Sequence, residues 1–175
     1  MAKASENNRK TVLWICVTGL FMALNIIMSR FSLPVPGGHL YLNDVIIDTA
    51  ALLMDPFSAF LVGGVGAFLG DLFFYPTPMF VSLVTHGLQA VAISLLSQKL
   101  LKKEPKIASV PALLVGVIIM VAGYTFGRAY IYGTPEAAIL KLPYQILQAV
   151  VGAVGAWFLV WKCGLKKLYR KSFGE

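Results

Sequence analysis

Six apolar stretches separated by short polar breaks dictate what this chain can become. They span residues 11–31, 42–54, 57–74, 79–98, 108–131 and 142–162. The hydrocarbon core of a bilayer takes about 20 apolar residues of helix per crossing. The second stretch is short and is expected either to tilt or to begin outside the membrane with Asn43 or Asp44 as its cap. Membrane-spanning strands would need apolar and polar residues to alternate over about ten positions, and these runs are unbroken. The expected fold is an all-α membrane protein of six transmembrane helices, forming one domain over residues 1–175 with no soluble domain or linker. Composition agrees: 13% of the chain is charged, against about 25% in a soluble domain.

The net charge of +7 raises nucleic acid as a partner, but the location of the charges removes it. Lys3, Arg9 and Lys10 precede the first stretch, and Lys99, Lys102, Lys103 and Lys106 lie between the fourth and fifth. Lys162, Lys166, Lys167, Arg170 and Lys171 follow the sixth. Arg30, Arg128 and Lys141 alone occupy the other ends. This is the positive-inside pattern, which predicts both termini in the cytoplasm of a multi-pass plasma-membrane protein. The basic start followed by an apolar run resembles a signal peptide, but the run is long enough to span, so an uncleaved first helix is expected. Cys16 and Cys163 both fall toward the cytoplasmic side, where thiols stay reduced.

The breaks are legible. Pro34, Pro36, Gly37 and Gly38 predict a non-helical external loop. Met54-Asp55-Pro56 predicts a tight cytoplasmic turn, with Pro56 in the first turn of the next helix. Pro76 and Pro78 close the third stretch, and Gly133-Thr134-Pro135 closes the fifth. The basic C-terminal tail is expected at the headgroups. Small residues let membrane helices approach closely. Ala59, Gly63, Gly66, Ala67 and Gly70 on the third stretch, and Ala149, Gly152, Ala153 and Ala156 on the sixth, are expected to pack inside the bundle. Gly19 and Ala23 on the first form a small-xxx-small pair that suits another membrane subunit equally well.

Polar groups crowd toward one side. The first, third and fifth stretches run outward and carry theirs late, as Arg30, Asp71, Tyr124 and Arg128. The second, fourth and sixth run inward and carry theirs early, as Asn43, Asp44 and Asp48, then His86 and Gln89, then Gln145 and Gln148. Ionisable groups inside a membrane are costly and mark functional sites by default. One depth on one side suggests a small-molecule pocket, not a pore. Asn43, Asp71, His86, Tyr124, Arg128 and Gln145 are the expected ligand-facing residues. Each has a plainer role available: Asp71 can cap its helix or pair with Arg128 or Arg30, and His86 can be a satisfied core histidine. Most of the tyrosines fit an interfacial belt.

No catalytic set is visible, so an enzyme is not expected. The run Gly63-Gly64-Val65-Gly66-Ala67-Phe68-Leu69-Gly70 lacks the Gly-Lys-Ser/Thr ending of a phosphate loop, and Leu69 breaks the dinucleotide spacing. Asp44 and Asp48, four apart on one helical face with His86 near, are the single conceivable metal site, and none is expected.

The pattern resembles the S components of energy-coupling factor transporters, the membrane subunits that bind vitamins. The resemblance covers nearly the whole chain: length, helix count, termini, and the small pair Gly19 and Ala23, where alanine is common at both positions. The segment from Leu40-Tyr41-Leu42-Asn43-Asp44 through Gly70-Asp71 is similar to the riboflavin-type branch. The resemblance implies an external pocket under the loops and docking through Gly19 and Ala23. It implies as partners a transmembrane coupling subunit and two cytoplasmic ATPases. No cofactor is then bound by this chain, and ATP is hydrolysed by the partner subunits. Within the branch, the polar set resembles subunits for pyridoxine-group compounds or hydroxymethylpyrimidine. The competing readings are a stand-alone secondary carrier, whose coupling-ion carboxylate would be Asp48, another vitamin such as riboflavin, and a membrane enzyme, which lacks a nucleophile–base pair.

Overall fold

The computed structural model describes residues 2–99 and 104–174. Lys102 and Lys103 of the basic loop lie outside the described residues. The helices are α1 (Ala2–Arg30), α2 (Asn43–Leu53), α3 (Pro56–Phe74), α4 (Met79–Lys99), α5 (Pro105–Tyr132), α6 (Pro135–Lys162) and α7 (Leu165–Phe173). Five of them, with α1 counted from Asn8, are long and apolar enough to cross a membrane. The other two are the terminal α7 and, among the six expected spans, α2. Its 11 residues rise about 16 Å, roughly half the hydrocarbon thickness. It is held at the centre of the bundle: Ile47, Asp48, Thr49, Ala50, Ala51, Leu52 and Leu53 are all buried. The main apolar core forms around it, from Ala59 and Val62 on α3, Ala90 and Ile93 on α4, Ala112 and Leu113 on α5, and Ala156 and Val160 on α6.

Three helices start well before the sequence reading has them: α1 at Ala2 instead of 11, α5 at Pro105 instead of 108, and α6 at Pro135, seven positions before the expected 142. Gly133-Thr134-Pro135 reads as a loop closure but serves as a helix start. Thr134 Oγ1 accepts the Ala137 amide at 3.3 Å, and Pro135 occupies the first turn. Pro143 lies inside α6, so Lys141 sits on the helix.

The loop after α1 is an antiparallel hairpin, β1 (Ser32–Val35) and β2 (Gly38–Tyr41), with Val35 facing Gly38 across the turn. Pro36 supplies a fixed φ, and Gly37 takes φ +80°, where a side chain would be strained. At the other end of the molecule, Pro56 takes the first turn of α3 as expected, and Asp55 caps the helix. Its Oδ1 accepts the Phe57 and Ser58 amides at 3.0 and 3.1 Å, and its Oδ2 accepts Ser58 Oγ at 2.6 Å and Trp14 Nε1 at 2.8 Å. Lys166 on α7 donates to Leu52 O at this same end. The start of α1 and the end of α7 therefore share one end of the bundle, opposite the hairpin.

Small residues on α3 and α6 do pack internally. A Cβ added at Gly63 would meet His86 O at 2.8 Å, and one at Gly152 would press into Asp44. Gly19 differs: an added Cβ meets nothing within 4 Å, and Ala23 beside it is exposed.

α3 contains a π-helical turn, Leu61–Val65. Such a turn shifts the backbone hydrogen-bond register, and Asn25 on α1 donates from Nδ2 to Val62 O there at 2.7 Å. Asn25 thus fastens α1 to α3 and does not line the cavity beneath the hairpin.

Candidate functional site

A cavity lies beneath the hairpin, between α3, α4, α5 and α6 and over the start of α2. It encloses about 550 Å³ of empty space, its mouth included. All six residues singled out from the sequence line it: Asn43, Asp71, His86, Tyr124, Arg128 and Gln145. They come from five helices, brought together because successive helices run in opposite directions and carry their polar residues alternately late and early.

Asp71 ends the glycine-rich face of α3. Its partner is a hydroxyl, not an arginine: Ser82 Oγ donates to Asp71 Oδ2, and Tyr124 OH lies 2.5 Å from the same Ser82 oxygen. Because Ser82 gives its one hydrogen to the carboxylate, the tyrosine hydroxyl donates in turn. The result is a chain from Tyr124 through Ser82 to Asp71 along one wall. Arg30, the other arginine considered as a partner, is exposed.

Arg128 and Lys141 face the hairpin. Arg128 Nη1 donates to Gly37 O at 2.6 Å, and its guanidinium carbon stands 5.2 Å from the Tyr132 ring centre. A π-helical turn at Arg128–Tyr132 ends α5 and sets these two side chains against each other. Lys141 Nζ donates to His39 O. Gln148 Oε1 accepts the Tyr41 amide at 3.0 Å. Backbone groups of residues 37, 39 and 41 are thus each held by a side chain from α5 or α6, with the alternation of an extended strand.

Behind the lining, over α2, lies an acidic, amide-rich layer. Asp44 and Asp48 are fully buried. Gln89 Nε2 donates to Asp48 Oδ1 at 2.8 Å and reaches Asp44 Oδ1 at 3.4 Å, while Gln148 Nε2 donates to Asp44 Oδ2 at 2.7 Å. His86 Nδ1 lies 2.8 Å from Gln89 Oε1 and 3.7 Å from Asp44 Oδ1. Both carboxylates face an amide donor, which disfavours the cation considered at this position. Among the described residues, no three His, Cys, Asp or Glu side chains are grouped to hold a metal. Gln145 Nε2 donates to Val121 O at 2.8 Å.

Two polar atoms of the lining have no hydrogen-bond partner among the described residues, Asn43 Oδ1 and Arg128 Nε. A buried polar atom left unpaired costs about 1–3 kcal/mol, so a ligand that pairs these atoms gains correspondingly. The sequence reading missed several lining residues. Lys141 looked like a flanking charge, Tyr41, Tyr75 and Tyr132 like a belt, and His39 carried no signal. Gln148 was visible, one turn from Gln145.

A polytopic helical bundle holding a polar cavity under a hairpin at one end is the architecture of a membrane-embedded solute-binding subunit. Residues 9–167 match the family model described as ECF-type riboflavin transporter, S component. The chain belongs to that family, and as an S component it works with the other modules of an energy-coupling factor transporter on a vitamin-class small molecule. It is 31% identical over 173 residues to the thiamine precursor transporter HmpT of Lactococcus lactis subsp. cremoris (strain MG1363), covering 94% of this chain and 98% of that protein. It is also 28% identical over 133 residues to an uncharacterised protein of Pyrococcus woesei, covering 76% of this chain and 87% of that one. The fold matches a solved structure described as the S component of a bacterial ECF transporter. That match has a TM-score of 0.68 at 15% identity and covers 90% of this chain and 98% of the other.

Proposed function

We propose that this S component binds a small nitrogen heteroaromatic, with hydroxymethylpyrimidine the best candidate, in the cavity under the hairpin. The observation that carries the reading is the lining itself. An aromatic wall with a carboxylate, an imidazole and amides suits a compact ring bearing amine and hydroxyl groups better than a large flavin. The ring would stack on Tyr124, with Asp71 taking an amine or hydroxyl proton. The likeness to a thiamine precursor transporter supports the same class. Pyridoxine-group compounds share this chemistry.

The cavity opens to the outside and both termini are cytoplasmic, on the positive-inside distribution of Lys and Arg. The partners are a transmembrane coupling subunit and two cytoplasmic ATPases, which hydrolyse the ATP. Gly19 and Ala23 meet the coupling subunit, since their face of α1 is open. Native mass spectrometry of the purified protein tests the ligand. A retained mass matching hydroxymethylpyrimidine or a pyridoxine-group compound is expected; retained riboflavin would overturn the choice.

A further inference from the structure

The two buried carboxylates on α2 do not face the cavity directly, yet they dictate what His86 offers to it. Asp44 and Asp48 stand one turn apart and are both fully buried. The side-chain amide of Gln89 lies against both, with its nitrogen turned to them at 2.8 and 3.4 Å. With the nitrogen committed, Gln89 Oε1 is turned toward His86 Nδ1 at 2.8 Å, one helical turn back on α4. That oxygen only accepts, so Nδ1 must carry a hydrogen.

His86 Nδ1 stays 3.7 Å from Asp44 Oδ1, too far for a hydrogen bond. With Nδ1 turned to Gln89 Oε1, a neutral ring presents Nε2 as a bare acceptor on a side chain that lines the cavity.

We propose that Asp44 and Asp48 are positioning residues that act through Gln89 to hold His86 as the Nδ1–H tautomer, so that the inner end of the cavity selects ligands that donate a hydrogen bond to Nε2. The ligand class is a ring bearing an exocyclic amine or a ring N–H at its buried end. This rests on the cavity being the ligand site, but the tautomer itself is independent of any ligand.

The chain has two histidines, so selective ¹⁵N labelling gives two ring systems, and a His39→Gln variant assigns them. In the ligand-free protein at neutral pH, His86 should show a pyrrole-type Nδ1 and a pyridine-type Nε2. The paired substitution Asp44→Asn with Asp48→Asn frees Gln89 to rotate and should populate the Nε2–H form. Gln89→Met removes the acceptor for Nδ1 and should do the same if the paired variant fails to fold. A wild-type ring protonated on Nε2, or on both nitrogens, overturns the proposal. So does a tautomer unchanged in whichever of these variants folds. With hydroxymethylpyrimidine added, the wild-type Nε2 signal should shift. An analogue lacking the exocyclic amine should bind about tenfold more weakly. If the tautomer is as stated but hydroxymethylpyrimidine does not bind, the ligand assignment fails and the relay stands.

Discussion

Gln148 Nε2 on α6 donates to Asp44 Oδ2 on α2 over 2.7 Å, while the same side chain accepts the Tyr41 amide at 3.0 Å. One residue thereby ties the buried carboxylate of the central helix to the end of the hairpin. Gln148→Leu leaves both groups short of a partner and should cost about 1–3 kcal/mol. Gln148→Glu should cost more, because it sets a second carboxylate against Asp44. Thermal unfolding in detergent reads both; midpoints equal to wild type would deny the tie any weight.

Docking and binding should separate. A Cβ at Gly19 meets nothing within 4 Å, so Gly19→Leu and Ala23→Leu should fold and bind ligand normally. Both should abolish uptake and co-purification with the ATPase subunits, because close helix contact is lost. Collapse of folding in the isolated subunit would show this face packed internally.

Asp55 should matter to stability and not to the ligand. Burial pushes its carboxyl up, but the bonds from Ser58, Trp14 and the Phe57 amide outweigh burial and hold it below the ordinary range. A carboxylate lowered on folding contributes stability above its unfolded value of about 3.9, and that contribution is lost as pH falls through the folded value. Asp55→Ala should cost about 1 kcal/mol as a lost cap and flatten the acid limb of the stability curve. A limb as steep as wild type would place the acid sensitivity elsewhere.

Orientation is read by labelling. In a background with Cys16 and Cys163 replaced, a cysteine at Ser32 in the hairpin should react with an impermeant reagent in intact cells. One at Ser172 on α7 should stay silent until the membrane is opened. The reverse pattern would turn the cavity inward.

Much of this architecture was legible because bilayer thickness and charge placement act on long segments. The grouping of Asn43, Asp71, His86, Tyr124, Arg128 and Gln145 was legible too, since depth follows from position along alternating helices. What failed was local. Pro143 is compatible with a helix start and with a helix interior, and only the Thr134 cap decides between them. The hairpin carries no alternating pattern strong enough to separate it from loop. Asp71 found Ser82 instead of an arginine because Arg128 is drawn to Gly37 O, a backbone carbonyl that no residue pattern reveals.

The central claim is a ligand held by Asp71 in the cavity, and calorimetric titration of hydroxymethylpyrimidine into the purified protein tests it most directly. Wild type should bind one equivalent tightly. Asp71→Asn, which keeps shape and removes charge, should bind about tenfold more weakly, one charge-assisted hydrogen bond being lost. Equal affinity in the two proteins, or no heat with this ligand while riboflavin binds, would contradict the account.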